Sequence, residues 1–166
     1  MEEIADKSSG VKWKAIQSRD FVEANLPKLT VRVNKKTGAV TFVDSKGKTL
    51  LSENPNVVRQ YEESSRTYWN FFAFGNNERL MAQAEEPEKW IGLERCAKYV
   101  SHGDSGVPTV LMSLNGYRIE ITSGTKVMVN TVPAYPMYIK YEGAERIDYT
   151  FQVCHTSEPW HSPKTP

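Results

Sequence analysis

The sequence has no long apolar run and no excess of charge of one sign. No stretch approaches the roughly 18 apolar residues that a membrane-spanning helix needs. The polar, acidic start over residues 1–10 lacks the basic flank and apolar run of a secretory signal. Lys+Arg 21 against Asp+Glu 20 gives a net charge of +1, which is not the basic bias of proteins that bind phosphate backbones. These absences argue against a membrane or nucleic-acid partner and predict a cytoplasmic location.

Residue types that bind metals or react as nucleophiles are also scarce. The only cysteines, Cys96 and Cys154, lie far apart, and His102, His155 and His161 have none of the spacings that zinc sites use. The sequence contains no Gly-rich phosphate loop, no Gly-x-Ser-x-Gly elbow and no His-Glu-x-x-His motif. We therefore expect no metal and no cofactor, and we interpret each cysteine as a buried reduced thiol.

What the sequence does contain is a regular succession of short β-type segments and turns. Residues 29–33 and 39–43 alternate apolar and polar side chains on either side of the Gly-bearing turn 34–38, which predicts a β-hairpin. A second turn at 44–47 is followed by another extended run at 48–51. The chain therefore opens its regular structure with a three-stranded meander.

Strand-like segments continue up to the start of the aperiodic tail, in places at intervals of roughly 8 to 12 residues. Residues 68–74 form an aromatic cluster that is typical of a core strand. The later segments are 97–100, 109–112, 118–122, 126–130, 137–141 and 147–153. We predict a mainly β fold, an antiparallel β-sandwich. Residues 78–86 have helix-favouring composition, so either one short helix ended by Pro87 or an irregular excursion is expected there.

The domain organisation follows from where this pattern starts and stops. The 166 residues, 39% of them hydrophobic, fit one domain with its own core. We predict an N-terminal extension over 1–21, a β-sandwich domain over 22–153 and a disordered tail over 154–166. The tail lacks periodic apolar residues and contains several prolines.

Aromatic residues are the first candidates for ligand contact. A sugar ring presents apolar C–H faces that an indole or phenol can cover while polar neighbours bind its hydroxyls. Trp90 follows a Glu-rich segment and could line a surface or belong to the core, whereas Trp69 lies in the aromatic strand and is more typical of a core.

Carboxylates and histidines on the turns are the second set of candidates. His102 with Asp104, or Glu142 with Glu145, could in principle supply acid–base pairs for work on a glycosidic bond. Asp and Glu beside Gly are, however, more typical of turn formation and solvation. No catalytic residue is predicted from these pairs.

Several of these segments resemble one enzyme family. Residues 29–53, with their two turns, resemble the opening hairpins of glycoside hydrolase family 31, which includes α-glucosidases, α-xylosidases and α-glucan lyases. Residues 99–103 and 113–117 resemble the stretch that finishes the sandwich in those enzymes, and 147–151 resembles the strand leading toward their barrel. The resemblance covers roughly residues 22–152.

The resemblance implies a galactose mutarotase-like β-sandwich that packs on a (β/α)₈ barrel and lends a loop to the rim of its active site. Both catalytic carboxylates belong to the barrel, which needs about 250 residues. It therefore implies a non-catalytic N-terminal domain whose partners are an α-glucoside or α-xyloside and a catalytic barrel, or a second copy through an exposed face. The candidate carbohydrate contacts are Glu94, Asp104, His102 and Trp90.

Two other functions are compatible with the same pattern. One is a free-standing carbohydrate-binding β-sandwich module. The other is a small sugar epimerase of the mutarotase type, in which His102 would supply acid–base catalysis.

Overall fold

The structure is a computed structural model that describes residues 12–75, 78–83, 89–101 and 106–154. Within these ranges every regular element is a β-strand, and every strand pairing is antiparallel. The chain divides into two compact units, Met1–Val58 and Arg59–Pro166. None of the described segments forms a helix with the length and apolar character needed to cross a membrane.

The first unit contains one five-stranded sheet in which neighbours along the chain are also neighbours in space. Its strands are β1 (Lys14–Gln17), β2 (Phe21–Asn25), β3 (Leu29–Asn34), β4 (Val40–Asp44) and β5 (Thr49–Ser52). The β3–β4 turn is closed by the Asn34 side chain, whose Oδ1 accepts hydrogen bonds from the main-chain N–H groups of Lys36 and Thr37. Asp44 closes the β4–β5 turn in the same way. The predicted three-stranded meander is confirmed.

The second unit contains two five-stranded sheets. The second sheet has the order β10-β13-β14-β7-β6, and the third sheet has the order β15-β12-β11-β8-β9. Their strands are β6 (Arg59–Glu62), β7 (Thr67–Phe72), β8 (Leu80–Gln83), β9 (Trp90–Gly92), β10 (Ala97–Tyr99), β11 (Thr109–Ser113), β12 (Tyr117–Ile121), β13 (Lys126–Asn130), β14 (Met137–Glu142) and β15 (Tyr149–Val153). The strands predicted in the second half of the sequence are therefore present.

The core of the second unit lies between these two sheets. Phe72 of the second sheet meets Tyr149 of the third edge to face, with ring centroids 6.4 Å apart. Alternate residues along the strands are buried, as a strand with one core face requires. The buried side chains of the second sheet include Phe72, Val127, Val129, Ile139 and Tyr141, and those of the third include Leu80, Ala82, Leu111, Tyr117, Ile119 and Ile121. This arrangement is a β-sandwich.

The helix allowed by the composition of residues 78–86 does not form at its centre. Leu80–Gln83 is strand β8, which pairs with β11 on one side and β9 on the other. Leu80 and Ala82 are both buried, so the apolar period here is two rather than 3.6. Helix propensity differs by less than about 1 kcal/mol per residue among ordinary side chains. Two strand ladders and a core position outweigh it.

The first sheet begins before residue 22, inside the segment predicted as an N-terminal extension. Lys14–Gln17, inside the predicted extension 1–21, pairs with Phe21–Asn25 as strand β1. Three of its four residues are exposed, so the segment shows little of the alternation from which a strand can be recognised. At the other boundary, Cys154 donates its main-chain N–H to Gly116. The rest of the predicted tail lies outside the described residues.

Candidate functional site

A cavity of about 510 Å³ opens at one end of the second unit's sandwich. It lies where the segments that follow β7, β9 and β13 come together. We call it the end pocket, and its principal lining residues are Phe74, Glu78, Arg79, Leu93, Glu94 and Arg95. Its volume falls in the range of small-molecule sites.

The carboxylate of Glu78 is held in a fixed position at this pocket. Its Oε1 accepts hydrogen bonds from the hydroxyl groups of Ser113 and, at 2.8 Å, of Tyr117. Its Oε2 accepts a 2.7 Å hydrogen bond from Nδ2 of Asn115. All three donors belong to the β11–β12 hairpin, so Glu78 ties the start of β8 to that hairpin.

Tyr117 is a permanently neutral donor in this cluster. Its side chain is fully buried, and burial together with the nearby charge of Glu78 raises the pKa of its hydroxyl well above the ordinary value. Both effects disfavour the phenolate. Tyr117 therefore stays a hydroxyl donor over the whole physiological pH range.

The floor of the end pocket is apolar. Phe74, Leu80 and Leu93 are buried there, and Phe74 stacks on Phe72 with ring centroids 5.4 Å apart. An apolar floor with polar groups at the rim is the usual composition of a site for a small polar molecule that has C–H faces.

The rim of the end pocket is charged and carries both signs. Nε of Arg79 lies 3.9 Å from Oε1 of Glu94, and both side chains are largely exposed. Arg95 adopts a left-handed backbone with φ of 47°. Thr131 holds this turn, because its Oγ1 donates to the carbonyl of Leu93 and accepts from the N–H of Cys96. The rim offers guanidinium donors and carboxylate acceptors to the same ligand.

The structure places the predicted contact residues in different surroundings. Glu94 lies on the rim of the end pocket. Trp90 is half-buried on β9, and its pairing with Gln83 puts it on the sheet face opposite to the core. His102 and Asp104 lie outside the described residues. Glu94 is thus the one predicted residue that the described structure brings to the pocket.

Two pocket residues, Glu78 and Arg79, and the Tyr117 hydroxyl that binds Glu78 were not anticipated from the sequence. Glu78 and Arg79 lie in the stretch whose composition favours a helix, and Tyr117 was noted only within the segment 113–117 that resembles the family. A usable signal was present, because Gly75 precedes Glu78 by one turn and accepts its main-chain N–H at 2.9 Å. A charged residue that closes a turn after a glycine, just before a strand, has a backbone held in place and is therefore a candidate site residue.

Neither of the described cysteines forms a disulfide. Cys96 and Cys154 are both free thiols and both half-buried, which agrees with the reduced state but not with full burial. Among the residues that the structure describes, no group of three or more His, Cys, Asp or Glu side chains is arranged to hold a metal ion.

The sequence matches no protein-family model and no curated protein. The structure, by contrast, matches a GH31 dextranase from Flavobacterium johnsoniae complexed with isomaltotriose, with a TM-score of 0.69 and 17% identity. It matches a GH31 α-xylosidase from a soil metagenome complexed with xylose, with a TM-score of 0.66 and 17% identity. The chain has the fold of a segment of GH31 enzymes.

The matched segment is a minor part of each of those proteins. The alignment covers 86% of this chain and 19% of the dextranase, and 90% of this chain and 25% of the α-xylosidase. A cycloalternan-forming enzyme from Listeria monocytogenes, complexed with its pentasaccharide substrate, matches with a TM-score of 0.68 and 13% identity over 94% of this chain and 16% of the enzyme. The GH31 resemblance seen in the sequence is confirmed by the fold, and this chain spans a fraction of the GH31 enzymes it matches.

Proposed function

We propose that this chain is the non-catalytic N-terminal β-domain of a GH31-type α-glycosidase, located in the cytoplasm. It packs against a (β/α)₈ catalytic barrel and contributes to the binding of an α-glucoside or α-xyloside. The observation that carries the proposal is the fold match, which takes in most of this chain but only 16–25% of the three enzymes compared. A domain that recurs within several larger enzymes is expected to pack against the rest of the enzyme in a similar way in each.

Carbohydrate binding is supported by the chemistry of the end pocket. The carboxylates of Glu78 and Glu94 provide acceptor groups, the guanidinium groups of Arg79 and Arg95 provide donor groups, and Phe74 and Leu93 supply an apolar floor. Hydroxyl groups with C–H faces between them satisfy all three requirements. The enzymes matched by fold were crystallised with isomaltotriose, xylose and a pentasaccharide.

A non-catalytic role is supported by the state of the pocket's carboxylates. Hydrolysis of a glycosidic bond uses two carboxyl groups on opposite sides of the bond, one of them able to carry a proton at the working pH. Glu78 is held by three hydrogen bonds on the β11–β12 side, and Glu94 is an exposed partner of Arg79. Both are suited to holding hydroxyl groups in place, and the paired acid and nucleophile are assigned to the barrel.

The test begins with the DNA on either side of the region that encodes this chain. We expect it to encode a (β/α)₈ barrel, in frame or as a neighbouring gene. The barrel is then expressed with and without this chain and assayed on p-nitrophenyl α-glucoside and α-xyloside. We expect the two parts to co-elute in gel filtration and the activity to fall when this chain is omitted.

The pocket's share is measured in that assembled enzyme. Glu94→Gln and Arg79→Ala are expected to raise KM for the α-glycoside while leaving kcat nearly unchanged, because each removes a rim contact rather than a reacting group. Thr150→Ala, at an exposed residue of the edge strand β15, is the matched surface control. A barrel that is fully active alone and does not bind this chain would favour the free-standing module instead.

A further inference from the structure

One row of side chains crosses all five strands of the second sheet on the face that points away from the core. The strand registers place Tyr99 opposite Met128, Met128 opposite Lys140, Lys140 opposite Trp69, and Trp69 opposite Gln60. We call this set the Tyr99–Trp69 row. The residues between its members, such as Ile139 and Tyr141, are fully buried, so the row itself lies on the outer face.

The row has an aromatic ring at each end of its central span. Tyr99, on the edge strand β10, is 52% exposed, and Trp69 on β7 is half-buried. Three strand spacings separate the two rings, or about 14 Å. Phe71 and Tyr138, in edge-to-face contact at 5.7 Å, lie one row further along and close one side of this strip.

Hydrogen-bonding groups lie between the two rings. Nζ of Lys140 donates to Oε1 of Glu142 at 2.6 Å and lies 5.6 Å from the centroid of the Trp69 ring. The hydroxyl of Tyr99 donates to the same Oε1 at 2.7 Å. Among the described residues, no donor reaches Oε2 of Glu142. The central group can therefore accept a further hydrogen bond from outside the chain.

Lys140 and Glu142 stabilise each other's charged forms. Hydrogen bonds from Lys140 and then from Tyr99 lower the pKa of Glu142, while the hydrogen bond to Glu142 raises the pKa of Lys140. Both groups are thus ionised around neutral pH and form an ion pair, and Lys126, opposite Glu142 on β13, adds a second positive charge nearby. The strip therefore offers charged and uncharged hydrogen-bonding groups, both donors and acceptors, to the hydroxyl groups of a ligand.

A peptide is also a poor fit to the row. The row crosses β13, β14 and β7, whose main-chain groups are engaged by strand neighbours on both sides. A peptide laid along it would find no main-chain partners, which are the usual source of affinity for an extended peptide. Two separated rings with polar groups between them suit a ligand that offers C–H faces and hydroxyl groups alternately.

We propose that the Tyr99–Trp69 row is a binding platform for a short neutral oligosaccharide. Tyr99 and Trp69 each cover one sugar face, and Glu142 and Lys140 bind hydroxyl groups between them. The platform is a site separate from the end pocket, whose lining includes none of the residues of the row. The platform extends the proposed function, and it depends on that proposal only for the class of ligand.

The platform is tested by calorimetric titration of this chain with isomaltotriose and with maltotriose. We expect saturable binding, weakened about tenfold by Tyr99→Ala, which removes both ring and hydroxyl. Tyr99→Phe keeps the ring and is expected to weaken binding by a smaller factor. Tyr135→Ala, which removes a 67% exposed tyrosine away from the row, is the matched control and should change nothing.

A second variant keeps the test independent of any local change in β10. Glu142→Gln changes the last residue of β14 and leaves every residue of β10 in place. It is expected to weaken binding several-fold, because a hydroxyl loses a charged acceptor. Circular dichroism and the urea midpoint of each variant verify that it is folded.

Three results would overturn the platform. The first is no saturable binding of either trisaccharide, and the second is unchanged affinity in both Tyr99→Ala and Glu142→Gln. The third is a change in sedimentation with Tyr99→Ala but no sugar binding, which would assign the face to protein contact. None of these would touch the barrel association or the KM effect of Glu94→Gln, so the platform and the proposed function fail separately.

Discussion

Two glutamates of the second unit each accept a hydrogen bond from a tyrosine hydroxyl, and the two pairs differ in almost everything else. Glu78 accepts from Tyr117 at 2.8 Å beside the end pocket, and Glu142 accepts from Tyr99 at 2.7 Å on the outer face. Tyr117 is completely buried, whereas Tyr99 is half exposed. The chemistry of the pair is the same, and its surroundings are opposite.

The difference shows that burial decides which of these pairs is structural and which is available. A buried hydroxyl cannot turn to water if its acceptor is removed, so the Tyr117–Glu78 bond is expected to stabilise the fold. An exposed hydroxyl exchanges its partner with water at little cost, so the Tyr99–Glu142 pair can reorganise around a ligand. The following predictions compare the two pairs directly.

The largest effect is expected from Glu78→Ala. It leaves the buried hydroxyl of Tyr117 and that of Ser113 without their acceptor, which we expect to lower the free energy of unfolding by about 3 kcal/mol. Urea unfolding followed by circular dichroism measures the change. Glu94→Ala, at the exposed rim of the same pocket, should stay within about 0.5 kcal/mol of the parent chain. Equal losses in the two variants would contradict the structural role of Glu78.

The second effect compares the hydroxyl groups themselves. Tyr117→Phe deletes one buried hydrogen bond to a carboxylate, so the free energy of unfolding is expected to fall by about 2 kcal/mol. Tyr99→Phe makes the same deletion on the surface and should leave the urea midpoint unchanged. If Tyr99→Phe proved as damaging as Tyr117→Phe, burial would not be what separates the two pairs.

The third effect concerns the ionisation of Glu142. Because Lys140 supplies the larger share of the stabilisation of its charged form, Lys140→Met should raise the pKa of Glu142 more than Tyr99→Phe does. The pKa of Glu142 is lower in the folded than in the unfolded chain, so its ionisation stabilises the fold at any pH above the unfolded-state pKa. This stabilisation is lost as the pH falls through the folded-state pKa. Carboxyl ¹³C NMR titration measures the pKa. Lys98→Met, on the edge strand β10, is the control and should have no such effect.

The smallest effect is expected at the Arg79–Glu94 pair. Both side chains are about 70% exposed and 3.9 Å apart, so solvent screens their attraction. A double-mutant cycle with Arg79→Ala and Glu94→Ala should give a coupling energy below about 0.5 kcal/mol. A larger coupling energy would mean that the Arg79–Glu94 pair, like Glu78, stabilises the fold. A coupling energy near zero would be consistent with a role of both side chains in ligand binding.

Most of the fold could be predicted from local patterns. The hairpin over 29–43 has apolar alternation on both sides of a Gly turn, and the turn is closed by Asn34 as such sequences favour. The strands from β10 onward are bounded by turns at regular spacing. These features depend on neighbours within a few residues, and such information is present in one sequence.

The misjudged segments depend on distant partners instead. β8 became a strand because β11, far along the chain, offers it a ladder and a core position. β1 is too polar to stand out and is defined by its pairing with β2. Local strand propensity does not reveal which distant strand a segment pairs with.

The candidate site was predictable only in part, for the same reason. Glu94 was reached through the family resemblance, whereas the triple hydrogen bonding of Glu78 requires β11 and β12 to be beside it. The outer face of the second sheet was missed because Trp69 lies in an apolar run that is typical of a core. Only the register with Lys140 reveals that its side chain points outward.

The strand order also bears on how quickly the chain reaches its native state. Each sheet neighbour in the first unit is the next strand in sequence, so its pairings close short loops. In the second sheet β7 pairs with β14, which brings Trp69 beside Lys140 and requires the intervening chain to be gathered first. Rates of folding fall as contacts become more distant in sequence. We therefore expect the first meander to form early, with completion of the second sheet as the slow step.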